Sequence, residues 1–294
     1  MLHDCKLNRR TWLVRSAQTA AAVMASSPLL PLLAAPKSRG FKVGACDWSI
    51  GKRCDPGALE MAKQLGLDGV QASMGDPEGN SLRLCNPELL KAYQAAARQT
   101  GMEVASLAID AMWQGPLKSD PRAAVWLADS IGVCKTLGMS VSMICCFDVE
   151  PSSDVAGTDR FVEIMKEIAP KAEKQDVIIA LENWLSAEDN MRIIERIGSP
   201  AVQVYYDVGN STDKGRDAVK EIRTLGKLIC ELHFKDDKHL LGQGRIDFKK
   251  VREAIDAVGY RGWIQLESAA PNGVMVDYKS QGQFVRSLFP RSDV

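Results

Sequence analysis

Residues 177–210 read VIIALENWLSAEDNMRIIERIGSPAVQVYYDVGN, and this stretch holds one complete folding unit. Residues 177–183 are a short apolar, β-branched run that ends on Glu182 and Asn183. Residues 187–197 are amphipathic, and Gly198 follows them. A second apolar run, 201–207, ends on Asp207. Strand, helix, glycine stop and strand describe a βαβ crossover, whose two strands are parallel.

The theme repeats in both directions from this unit. Strands are expected at about 41–47, 68–73, 102–108, 140–147, 177–183, 201–207, 228–234 and 262–267. Helices are expected at about 56–65, 86–100, 120–137, 158–175, 187–197, 216–225, 247–258 and 277–288. Asn86-Pro87-Glu88 and Asp120-Pro121-Arg122 place proline at the first helical position behind a capping side chain. Gly66, Gly101, Gly138, Gly198, Gly226 and Gly259 each close a helix ahead of a strand, where the chain leaves with φ > 0. Strict alternation makes this an α/β chain with a parallel sheet, and eight units in this length favour a single (β/α)8 barrel. An open doubly wound sheet is the alternative, but no G-x-G-x-x-G follows the first strand and no Walker loop occurs. No Pro-, Gly- or Ser-rich linker interrupts residues 41–290, which read as one domain.

The 294-residue chain is 46% hydrophobic and 25% charged, a composition that excludes a disordered or collagen-like chain. Its 37 basic and 37 acidic residues argue against nucleic acid as a partner, because phosphate binding needs a basic excess. Residues 1–36 differ from the rest. Asn8-Arg9-Arg10-Thr11-Trp12-Leu13, a weakly apolar stretch over 17–24 and small residues up to Ala35 describe an export signal of the twin-arginine type. Its removal gives an exported, periplasmic or otherwise extracytoplasmic protein with 33 basic and 36 acidic residues. No membrane span is expected in that mature chain. The eight cysteines form no C-x-x-C pair and sit mostly in apolar runs, so they are expected as buried thiols. The sequence leaves a homo-oligomer open.

In such barrels the active site lies at the C-terminal strand ends. Strand five ends on Glu182, strand six on Asp207, strand seven on His233 and strand eight on Glu267. Three converging carboxylates would repel one another, and a divalent cation resolves that conflict. Glu182, Asp207, His233 and Glu267 offer three oxygens and one nitrogen, a set suited to Mn²⁺, Mg²⁺, Co²⁺ or Zn²⁺.

The words Leu181-Glu182-Asn183, Tyr206-Asp207-Val208-Gly209-Asn210, His233-Phe234-Lys235-Asp236, the stretch from Gly242 to Phe248, and Leu266-Glu267-Ser268 resemble the xylose isomerase-like TIM barrel superfamily of sugar isomerases and epimerases. The resemblance implies one divalent metal on Glu182, Asp207, His233 and Glu267, and implies that Glu182 and Glu267 exchange protons with a carbohydrate substrate. The chain departs from the family's keto-sugar epimerases at two positions: Asn210 stands where a histidine is frequent, and His239 where an arginine is frequent. Glu188 matches a substrate-contacting position, and it equally fits an acid in the first helical turn. Relatives that act on DNA hold three metals with several histidines, which three histidines in all cannot supply.

Lys235 is read either as a substrate contact or as the partner of Asp236 or Asp237. Trp48, Trp113 and Trp184 fall near the ends of strands one, three and five, as a wall for a sugar ring or as packing. Gly242-Gln243-Gly244 reads as a turn. The stretches 111–119 and 149–158 are long enough to move over the site. The expected activity is isomerisation or epimerisation of a keto-sugar by proton abstraction beside the carbonyl. Expulsion of a β-leaving group by the same site gives a lyase or dehydratase, and a silent sugar-binding barrel is the reading outside enzymology. The leader and the lack of a basic cluster at the last two strand ends favour an unphosphorylated substrate.

Overall fold

The computed structural model describes residues 40–291; the export signal read over residues 1–36 lies outside them. The eight barrel strands are β1 (Lys42–Cys46), β2 (Gly69–Ser73), β3 (Glu103–Ile109), β4 (Val141–Cys145), β5 (Ile178–Glu182), β6 (Val202–Asp207), β7 (Ile229–Phe234) and β8 (Trp263–Leu266). They are parallel and closed in the order β1-β8-β7-β6-β5-β4-β3-β2. The pairing of β1 with β8, from Lys42 opposite Trp263 to Ala45 opposite Leu266, excludes the open sheet. Strands β2, β4, β5 and β6 are buried along their whole length. One face fills the barrel and the other lies under helices, which is why these runs are continuously apolar rather than alternating.

The surrounding helices are α1 (Gly57–Leu65), α2 (Pro87–Thr100), α3 (Pro121–Leu137), α4 (Val155–Lys174), α5 (Ala187–Ile197), α6 (Val208–Asp213), α7 (Ala218–Leu225), α8 (Phe248–Ala257) and α9 (Val274–Leu288). Asn86 and Asp120 cap α2 and α3 as the Asn-Pro and Asp-Pro signals require, accepting from the amides of Glu88 and Arg122. Gly66, Gly101, Gly138 and Gly198 take the left-handed conformation at their helix ends. Gly226 does not; with φ 55° and ψ −121° it opens a 3-10 turn into β7.

Three boundaries differ from expectation. Helix α4 starts at Val155 because the Asp154 carboxylate caps it through the Gly157 amide. Helix α9 starts at Val274, behind Gly273. Helix α6 falls where no element was expected, between 207 and 216, and it forms because Asp207 accepts from the amides of Gly209 and Asn210. All cysteines among the described residues are free thiols. No helix among the described residues is long and apolar enough to cross a membrane.

Candidate active site

Strand register brings the four sequence-marked side chains to one level. Cys145 pairs with Glu182 across β4 and β5, and Asp207 pairs with His233 across β6 and β7. Glu267 follows β8 directly, and its amide donates to the Phe234 carbonyl of β7. One ligand atom each from Glu182, Asp207, His233 and Glu267 lies within 4.8 Å of all the others. Glu182, Asp207 and His233 are buried, and Glu267 is half-buried.

The two ring nitrogens of His233 have different tasks. Nε2 lies 2.6 Å from Oε1 of Gln71 and donates to it. That bond turns Nδ1 towards the carboxylates, 3.2 Å from Glu182 Oε1, 3.9 Å from Asp207 Oδ2 and 3.7 Å from Glu267 Oε2, and against the pull of burial Glu267 and Glu182 raise the imidazole above its ordinary pKa. Three carboxylate oxygens around this nitrogen favour a cation there, a proton on the ring or a metal ion bound to its neutral form. The outer hydrogen bond that fixes a metal-binding tautomer is a recurrent device. Gln71 reaches the ring because the β2–β3 register shifts between Val70 and Gln71.

Lys235 lies between two of the carboxylates, its Nζ 2.7 Å from Asp207 Oδ2 and 2.8 Å from Glu267 Oε2. The expected partners Asp236 and Asp237 are therefore wrong. Asp236 instead points away to accept from the amides of Gly242, Gly244, Arg245 and Ile246, which makes the Gly242-Gln243-Gly244 segment a turn wound on one carboxylate. The Lys235 stem passes against Gly209, where any Cβ would collide with it. Trp48 Nε1 donates to Glu267 Oε1 at 3.0 Å, and Asn210 Nδ2 donates to Glu182 Oε1 at 3.3 Å.

The electrostatics follow from burial set against these partners. Burial pushes Asp207 up to about 6 although Lys235 draws it down. Burial acts likewise on Glu267, but His233 and Lys235 outweigh it and hold that carboxyl down at about 2. Burial pulls Lys235 down, yet Asp207, Glu267 and Glu182 lift it well above its ordinary value. With His233 neutral, the state in which an imidazole ligates a metal, three carboxylates and one ammonium carry a net charge of −2, which one divalent cation cancels. Oxygen donors with a single imidazole fit a hard or borderline cation such as Mg²⁺, Mn²⁺, Co²⁺ or Zn²⁺.

The quartet opens into a cavity of about 770 Å³. Trp48, Glu182, Asn210, Lys235 and Glu267 line its inner end. Trp113 and Trp184 line its rim and pack with Phe147, ring centroids 4.9–5.7 Å apart. Trp113 is 58% exposed, so this cluster is a wall open to the cavity rather than packing beneath a loop. Glu188 and His239 are exposed and do not line the cavity. Glu188 sits in the first turn of α5, where an acid favours the helix dipole. The two long loops are tied together: Lys118 bonds the Asp148 carbonyl and, at 2.7 Å, the Asp154 carboxylate.

Several lining residues escaped the sequence reading. Arg53, Asp76 and Asp110 stand on the opposite side of the mouth, after β1, β2 and β3. Asp110 accepts from Arg53 Nε at 2.6 Å and from Ser73 Oγ at 2.7 Å. Gln71 was also missed, although a lone amide in the run Gly69–Ser73 signals a side chain turned into the barrel.

A barrel of this topology with acids and a histidine at consecutive strand ends defines a class of (β/α)8 proteins whose strand ends could hold a metal ion. Residues 59–287 match the xylose isomerase-like TIM barrel family, and the chain belongs to it. The L-ribulose-5-phosphate 3-epimerase UlaE of Salmonella typhi is 26% identical over 223 residues, which are 69% of this chain and 78% of that one. Among solved structures, the D-psicose 3-epimerase of Clostridium cellulolyticum H10 superposes with a TM-score of 0.70 at 17% identity, covering 84% of this chain and 99% of that one. The 3-keto-D-glucoside 4-epimerase YcjR of E. coli superposes with a TM-score of 0.69 at 14% identity, covering 84% and 99%. At these identities the structural likeness is one of fold.

Proposed function

We propose that this protein is a divalent-metal-dependent isomerase or epimerase of a keto-sugar. The observation that carries the reading is the Nδ1 of His233 set among Glu182, Asp207 and Glu267, all four ligand atoms within 4.8 Å of one another. The matched epimerases, UlaE by sequence and the psicose and keto-glucoside enzymes by fold, support the reaction class. The unphosphorylated substrate and an extracytoplasmic location rest on the Arg9-Arg10 leader and the composition of the last two strand ends.

Glu182, Asp207, His233 and Glu267 would hold the cation, which when bound polarises a sugar carbonyl and its neighbouring hydroxyl. Glu182 is the base that takes the proton from the carbon beside the carbonyl. Asn210 fixes its Oε1, and the Cys145 thiol faces its Oε2 at 3.7 Å. Glu267, oriented by Trp48 on one oxygen and Lys235 on the other, takes up a proton from solvent and delivers it to the other side, and Glu182 gives its own proton up to solvent to close the cycle. The Lys235 ammonium also stabilises the oxygen on which negative charge develops. Return of the proton to the same carbon inverts it; return to the neighbouring carbon moves the carbonyl. Trp113 and Trp184 wall the rim of the cavity and limit water.

Metal content of the purified protein, read beside the Glu182→Gln and Glu267→Gln variants, tests the site. The expected result is about one divalent ion per chain, lost or weakened in both variants, with ketose-dependent exchange of a carbon-bound hydrogen in D₂O. A protein that takes up no Mn²⁺, Co²⁺ or Zn²⁺ after soaking refutes the reading and leaves a sugar-binding barrel. Product mass then separates reaction types: an unchanged mass marks isomerisation, and loss of water or an alcohol marks a lyase.

A further inference from the structure

The cavity has two unlike halves. The quartet comes from β5, β6, β7 and β8, whereas Arg53, Asp76 and Asp110 follow β1, β2 and β3 across the mouth. Its volume of about 770 Å³ far exceeds one monosaccharide. A hexose of roughly 12 non-hydrogen atoms displaces on the order of six waters of ~30 Å³ each, and so fills about a quarter of that space. A substrate that ended at the quartet would leave the β1–β3 side and the aromatic rim filled with water.

Both guanidiniums on that far side are already paired with carboxylates. Arg53 is clamped between Asp110 at 2.6 Å and Asp76 at 2.9 Å, and Arg122 at the rim is paired with Asp120 at 2.6 Å. A phosphate there would have to displace carboxylates from both guanidiniums. A neutral polyol would not, because hydroxyl groups donate to the remaining carboxylate lone pairs and accept from the spare N–H groups of Arg53. The Ser73 hydroxyl fixes Asp110 from behind, and the amides of Ser73 and Cys54 are held by the buried Asp47. Ser73 and Asp110 are thus set on fixed backbone and orient Arg53, while Asp76 reaches the guanidinium from the exposed edge of the mouth. Beside it, Trp113 presents an open ring face, the surface on which the apolar face of a sugar stacks.

We infer that the β1–β3 side is a subsite for a second, neutral sugar ring, so that the substrate is a keto-glycoside of at least two rings rather than a free or phosphorylated monosaccharide. The inference deepens the proposed function and rests on it for the position of the reacting ring. The far ring hydrogen-bonds to Arg53, Asp76 and Asp110 and stacks on Trp113.

The test is calorimetric titration of the metal-loaded protein with cellobiose, maltose, sucrose and trehalose, against D-glucose, D-fructose and D-glucose 6-phosphate. At least one disaccharide is expected to bind fivefold or more tighter than every monosaccharide. Trp113→Ala brings that ratio towards one with metal content retained, and Trp113→Tyr restores part of it. Ratios below fivefold for all four disaccharides overturn the inference, as does tightest binding of the hexose phosphate. The two readings fail separately. Full metal loading and D₂O exchange without disaccharide preference removes only the subsite, and disaccharide preference in a protein that takes up no metal removes only the proposed reaction.

Discussion

Glu231, deep in the barrel, and the carboxylates at its mouth are all largely buried, yet they are neutralised differently. Glu231 accepts from Ser106 Oγ and from the Tyr205 hydroxyl, each at 2.8 Å, and burial pushes its carboxyl up to about 7. Asp47 is a similar case: burial raises it to about 7 against the amides of Ser73 and Cys54. These acids are settled by hydrogen bonds and a retained proton. At the mouth, Asp207 and Glu267 share the single ammonium of Lys235, and His233 turns its Nδ1 towards both. The protein completes its own neutralisation in the first region and leaves it to a ligand in the second. Unfinished compensation, rather than buried charge in itself, marks the functional end of the barrel.

The largest effect that would break this contrast is at Asp207. Asparagine keeps the cap on α6 but removes a charge from the quartet, so Asp207→Asn should slow metal-dependent hydrogen exchange by about 10³-fold or more, measured by NMR in D₂O, with α-helical content unchanged.

The next effect concerns Asp47. The unfolded chain ionises this carboxyl near 3.8, whereas the folded chain keeps its proton until about 7. Stability from this group is therefore complete below about pH 4 and is lost as pH rises through 7, by roughly 4 kcal/mol in all. Urea unfolding at pH 5 and pH 8 should give a steeper fall for the natural protein than for Asp47→Asn. Equal slopes would mean that Asp47 is ionised throughout.

In the interior, Glu231→Leu strands two hydroxyls and should cost about 2–4 kcal/mol in unfolding free energy, while Glu231→Gln should cost less than half of that. Gln71→Leu frees the His233 tautomer and should weaken metal binding roughly 10–100-fold in a competition titration, without unfolding the barrel. The smallest effect is at Glu188. Its replacement by Ala should lower stability by about 0.5 kcal/mol through the helix dipole and change turnover less than twofold. A tenfold loss of kcat/KM there would restore its reading as a substrate contact.

The repeating βα pattern was legible because its punctuation is local. Gly198 ends α5 and Asn86 caps α2 through contacts within a few residues of themselves. The metal quartet was legible for a different reason: its four members share one position, the strand end, in consecutive units. The rest depends on register and distance. Lys235 could not be paired from sequence, because Asp207 and Glu267 lie 28 and 32 residues away while Asp236 is adjacent. Gln71 meets His233 from 162 residues away, at a bulge that no propensity marks. Helix α6 was missed because Val208-Gly209-Asn210 reads as a strand leaving the sheet until Asp207 is seen to cap it.

Trp48 follows the first strand of the ring, and Glu267 follows the last. Their hydrogen bond therefore spans the seam where the two ends of the folded domain meet. A nascent chain with seven units assembled already holds Glu182, Asp207 and His233, but the fourth ligand is seated only when the circle is shut. The chemistry thus doubles as a checkpoint: a barrel nicked or peeled open at β1 loses the anchor of a proton-transferring carboxylate before it loses its core.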